Sequence, residues 1–148
     1  MAKIMRAHER HPDWRDKELA KQYVRSQLGR SGGKTFLTEL SPIPSAKSHD
    51  KKWMSLFMRH DPALATKLKL RRETLLRKLE AGVPSLVICY GRGRESSRKF
   101  AELLAVKWEP LLSEISVAQN RKCLLLPFFG LGQMSHKIIQ ALLDRDIL

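Results

Sequence analysis

Cysteine is scarce in this chain. The two present, Cys89 and Cys123, stand at no spacing that suits zinc. Each lies inside an apolar run, so both read as buried, reduced thiols of a cytoplasmic protein. No run of about 18 apolar residues occurs, so no membrane-spanning helix is expected. The opening MAKIMRAHER lacks the apolar core of a signal peptide. There is no internal repeat and no low-complexity tract. No Cys–His or Ser–His–Asp spacing points to a nucleophile, and neither a metal nor a cofactor is expected. Acidic residues are also few: 15 against 28 basic ones, a formal charge of +13. Such an excess favours a polyanionic partner, nucleic acid before membrane.

What is present centres on residues 83–98, VPSLVICYGRGRESSR. Residues 85–90 are a short apolar run between a Gly-Val-Pro break and Gly91, which reads as a strand buried in a parallel sheet. A Gly-Arg-Gly turn and a helical pattern follow. A strand that runs through a glycine turn into a helix presents backbone N–H groups at the sheet's C-terminal edge, where open α/β sheets bind ligands. Arg92, Arg94 and Arg98 stand at that edge.

The chain, at 148 residues, suggests one domain over residues 13–148 behind a basic tail, residues 1–12. A helix is expected from Asp13, as its cap, to Gly29, with Asp16 in its first turn. The GRSGGKT that follows is no P-loop: Leu28 stands where the first glycine should, and no strand precedes it. Residues 35–40, TFLTEL, read as a strand ending in a Pro-x-Pro loop. A basic helix from Asp61-Pro62 to about Glu80 leads to the 85–90 strand. A helix over about 96–107, with Trp108 near its inner face, is interrupted by Pro110. Residues 111–117 fit a short helix or a strand, and residues 123–126 a further strand. Ser135 caps a last helix whose inner face holds Ile138, Ile139, Leu142, Leu143 and Ile147. Helix-length connections between short apolar strands imply a parallel sheet with right-handed crossovers.

The run TFLTELSPIPS, a long basic helix, PSLVICYG, a Phe/Leu helix, then CLLLPFFGLGQMSH and a closing helix resembles the uracil-DNA glycosylase superfamily over about residues 28–143. The resemblance implies an α/β fold: a three-layer α/β/α sandwich on a small, mainly parallel sheet. It implies base excision by an activated water without a metal. The family's first strand and its water-positioning Gly-Asp-Pro loop have no counterpart in residues 1–33. Its base-reading Asn falls at Glu39, and its His-Pro loop at Phe128-Phe129. The expectation is therefore a DNA-binding protein, with DNA before RNA, that lacks competent excision of its own. Two alternatives are a glycosylase with displaced chemistry and a protein-interaction module using the same cleft.

Three loops would meet at the strand ends. Gly91, Arg92, Arg94, Arg98, Gln133 and Ser135 suit phosphate and hydrogen-bond contacts, while Phe128 or Phe129 can stack on a base or plug the core. Glu39 is the candidate general base, and His136 a poorer one because it opens a helix.

Overall fold

The computed structural model describes residues 1–38, 59–91, 93–112, 114–118, 122–127 and 134–148. In chain order these form α1 (Ala2–His8), α2 (Lys17–Ser26), α3 (Leu64–Gly82), β1 (Val87–Tyr90), α4 (Arg94–Leu104), β2 (Trp108–Leu112), β3 (Ile115–Ala118), β4 (Cys123–Leu126) and α5 (His136–Leu143). The strands make one sheet in the order β1-β4-β3-β2.

The sheet is mixed. β1 runs parallel to β4, whereas β4 with β3 and β3 with β2 are antiparallel. The α/β class stands and the expectation of a mainly parallel sheet is corrected. The cause is local: residues 108–118 form a hairpin, and strands joined by so short a link can only pair antiparallel. Trp108 and Pro110 therefore lie in a strand and not around a broken helix. Pro110 is tolerated because β2 is an edge strand, with a register shift beside it.

β4 is the buried centre. All four residues of CLLL are buried, as a strand covered on both faces requires. In β1, by contrast, only Cys89 is buried, and β1 lies at the sheet edge. The expectation that residues 85–90 form a strand buried within the sheet is corrected: the buried place belongs to CLLL.

Strand alternation assigns the two faces. Leu124 and Leu126 join Ile115 and Val117 of β3, Ile139 and Leu142 of α5, Ile4 and Ala7 of α1, and Trp14 in one apolar cluster. Each fully buried Leu or Ile there contributes about 1.5–3 kcal/mol. The other face carries Cys123 and Leu125, with Cys89 and Ala118 brought beside them by the register. Trp108 pairs with Ala118 on this face, and its Nε1–H donates to Ser97 O of α4 at 3.0 Å. α1 and α5 therefore cover one face and α4 the other, with α3 against α4.

Residues 1–12 are not a tail. α1 packs Ile4 and Ala7 on the sheet cluster and Ala2 against Ala20 and Tyr23 of α2. A seven-residue helix is marginal alone, so these contacts are what hold it. α2 begins at Asp16, whose side chain accepts from Leu19 N–H at 2.8 Å. Asp13, expected as the cap, instead accepts from Arg6 Nη2 at 2.5 Å.

α2 ends at Gln27, earlier than Gly29. The glycine-rich stretch after it closes on itself: Thr35 Oγ1 donates to Gln27 O at 2.9 Å and accepts from Gly29 N–H at 2.9 Å. A Cβ at Gly33 would lie 2.2 Å from Gln27 O, which is why that position takes glycine. The expected 35–40 strand is reduced to one bridge, Leu28 to Thr35, with residues 36–38 outside any strand. Residues 39–40 lie outside the described residues. The Ser135-capped α5 starts where the sequence placed it, with Ile147 buried beyond its end, and α3 is present but begins at Leu64, after Asp61-Pro62, with Ala63 as its N-cap.

Candidate nucleic-acid interface

Parallel pairing sets the C-terminal ends of β1 and β4 side by side. Tyr90 is the partner of Leu126, and Gly91 N–H donates to Leu126 O at 3.0 Å. The loops after the two strands therefore leave the sheet from adjacent points. Gly91 is buried at φ 117°, a conformation that strains any side chain.

Gly93 is the N-cap of α4, which has no side-chain cap. Arg94 is the first helical residue and is exposed. Arg98 is directed along the helix, where Nη1 donates to Glu102 Oε1 at 2.7 Å, and Lys99 pairs with Glu95 at 2.8 Å. Exposed pairs of this spacing are worth about 0.3–0.5 kcal/mol, too little to hold either cation against a phosphate.

At the start of α5 the Ser135 side chain accepts from Ile138 N–H, closing the helix end. His136, the first residue of α5, faces α1. Lys3 Nζ, which also donates to Arg15 O at 2.6 Å, is 2.9 Å from His136 Nε2. An ammonium only donates, so Nε2 accepts, and the nitrogen nearest to service as a base is engaged. Trp14 meets the His136 ring edge to face at 5.6 Å, and the Arg15 guanidinium lies 5.0 Å from the Trp14 centroid. Of the residues singled out in the sequence, Gly91, Arg94, Arg98, Ser135 and His136 are thus placed. Glu39, Arg92, Phe128, Phe129 and Gln133 lie outside the described residues.

Sequence reasoning missed the polar groups of α1 and the residues just after it. Glu9 accepts from Tyr23 Oη–H at 2.9 Å, and its other oxygen lies 3.1 Å from His11 Nε2. Burial, then the bond to Glu9, pushes the Tyr23 phenol up. His8 Nε2 is 2.9 Å from Ser85 Oγ, a Ser–His contact that sequence spacing did not reveal. Its Nδ1 is buried with no hydrogen-bond partner among the described residues, so no third group orients it as a catalytic base. Two shallow cavities, of about 290 and about 240 Å³, flank α1 on its α5 and α2 sides. Neither is lined by a site residue named from the sequence. The only signal in the sequence was the spacing of Ala2, Ile4 and Ala7, too short to mark a helix.

Among the described residues the positive charge is on the surface. Arg6, 8% exposed, is the one buried charged side chain among the described residues. No group of three or more His, Cys, Asp or Glu suited to a metal occurs among the described residues. No helix among the described residues is long and apolar enough to cross a membrane. No family model, curated protein or solved structure matches the chain.

Proposed function

We propose that this is a cytoplasmic protein that binds nucleic acid through its phosphate backbone, DNA before RNA, and excises no base unaided. The observation that carries the reading is the +13 charge of the chain, with Arg6 the one buried charged side chain among the described residues. A charge of that size concentrates phosphate near the surface whatever the base sequence. The adjoining ends of β1 and β4, with Arg94 exposed beside them, favour the strand-end loops as one contact region. The same feature, with helices on both sheet faces, supports a divergent glycosylase-like α/β/α arrangement as the finer reading of the fold. The engagement of His136 Nε2 by Lys3 favours binding over excision.

The test is one labelled oligonucleotide carrying a single uracil, single- and double-stranded, at two salt concentrations. Binding that weakens with salt and yields no abasic product agrees with the proposal. Abasic product that vanishes in Glu39→Gln would replace it with a base-excision hydrolase. Binding to neither strand form would remove the nucleic-acid reading altogether. Arg94→Ala should weaken binding a few-fold without unfolding the chain, since a surface cation contributes through phosphate attraction alone.

A further inference from the structure

α3 is long and thinly covered. Of its 19 residues only Leu64 and Leu75 are buried. Its basic residues are not spread evenly. Lys67, Arg71, Thr74 and Lys78 follow one another at helical spacing down one flank, with Leu70 and Arg77 beside them. The two carboxylates of α3, Glu73 and Glu80, each stand two residues past one of those cations, Arg71 and Lys78, and so about half a turn away. The row Lys67, Arg71, Thr74 and Lys78 is free of acid from its own helix, whereas Arg77 beside it stands four residues past Glu73 and three before Glu80. Asp61, just before the helix, pairs with Lys67 at one end.

Residues 36–38 run along this flank. Arg71 Nη2 donates to Thr38 Oγ1 at 2.6 Å, and Lys78 Nζ lies 4.9 Å from the Phe36 ring centroid. The contacts tie Phe36 near one end of α3 and Thr38 two turns back. Despite them Phe36 is 55% exposed, Leu70 is 56% exposed, and Leu37 is exposed as well. An aromatic ring is thus held out to solvent, with a cation on it and further cations on the helix behind.

Cations that track a backbone, with an aromatic among them, are the elements of a single-strand platform. Unpaired bases offer π-faces to the ring, and the phosphates meet the lysines and arginines. A duplex hides those faces in its stack. An acidic peptide would satisfy the charge but gives Phe36 no reason to stand exposed beside it. We infer that the Phe36–Leu37 segment and the Arg71, Arg77 and Lys78 flank of α3 form a binding platform for single-stranded nucleic acid. This rests on the nucleic-acid reading above and names the strand form and a second surface, apart from the strand-end loops.

The test is fluorescence anisotropy of the full chain with a labelled 20-nucleotide single strand and with its duplex. Wild type, Phe36→Ala, Arg77→Gln with Lys78→Gln, and Arg94→Ala are compared, with circular dichroism to show that each is folded. The platform predicts tighter binding of the single strand than of the duplex. It also predicts about a ten-fold loss of single-strand affinity in Phe36→Ala, with little change for the duplex. The double variant should lower the salt dependence as well as the affinity. If wild type binds but Phe36→Ala binds the single strand equally well, the platform is wrong and the nucleic-acid reading survives. If wild type binds neither form, both fail. Displacement of the single strand by polyglutamate at equal charge would also overturn the platform, because it would show a surface that answers to charge alone.

Discussion

α1 and α3 are both basic helices, yet they do opposite work. α1 has seven residues, four of them buried, and it joins the sheet cluster to α2. α3 has 19 residues and two buried. Length and composition would rank α3 as the structural helix and α1 as a tail. Contacts reverse that order: a short helix covered on two sides gains more from packing than a long one touched on one. The cations follow the same division. In α1 the basic side chains serve the fold: Arg6 donates to Asp13 and Lys3 links Arg15 O to His136. In α3 they form a flank with exposed apolar neighbours, which suits a partner.

The contrast breaks most readily at Ile4. This side chain is 1% exposed within the sheet cluster, so Ile4→Ala should cost about 2–5 kcal/mol in urea unfolding. Leu70→Ala in α3 should change stability by less than about 0.5 kcal/mol. Equal losses would dissolve the distinction between the two helices.

Asp16 gives the next effect. Its bond to Leu19 N–H fixes the start of α2, and Asp16→Ala should cost about 1 kcal/mol. Asp13→Ala should leave the start of α2 in place, which amide exchange at residues 17–20 would report. Val83 tests the far end of α3 with the opposite sign. It ends the helix at φ 39° and is 74% exposed, so it has little packing to lose. Val83→Gly should raise the unfolding midpoint, by about 1 kcal/mol of relieved backbone strain.

The smallest effect is the pH response of α1. Burial holds the His8 imidazole below its ordinary 6.5. The unfolded chain therefore takes up a proton that the folded chain resists. Stability from this source is complete above pH 6.5 and declines as the pH falls through the lower folded value. His8→Gln should flatten that limb of the unfolding-midpoint profile. A midpoint that rises on acidification in wild type but not in the variant would reverse the assignment.

Composition announced some elements and concealed others for physical reasons. CLLL, VICY, the basic helix before them and the Ser135 cap carry their signals within a few residues: apolar runs, breakers and a side-chain acceptor. The hairpin at 108–118 was concealed because Trp108 fits the inner face of a preceding helix, and Pro110 looks like a break until the strand is known to be an edge. α1 was concealed because its reason for being helical lies in residues far along the chain. That omission spread to the site. His136 was judged without Lys3, and the contact that engages its ring joins residues 133 positions apart. Thr35 and Phe36 show the reverse error. A β-rich run invites a strand, but residues 36–38 lie along α3 with no strand to pair. The thiols were legible outright: both are buried, and burial, then the nearby Cys123, pushes Cys89 up to about 12.

The most direct test of the central claim is the salt dependence of oligonucleotide affinity for the intact chain. A surface built to hold a phosphate backbone must release counterions on binding. With four or more phosphates engaged, log K should fall against log salt with a slope of about −3 or steeper. A flat dependence, or no measurable binding at low salt, would contradict the account and leave the +13 charge without a nucleic-acid purpose.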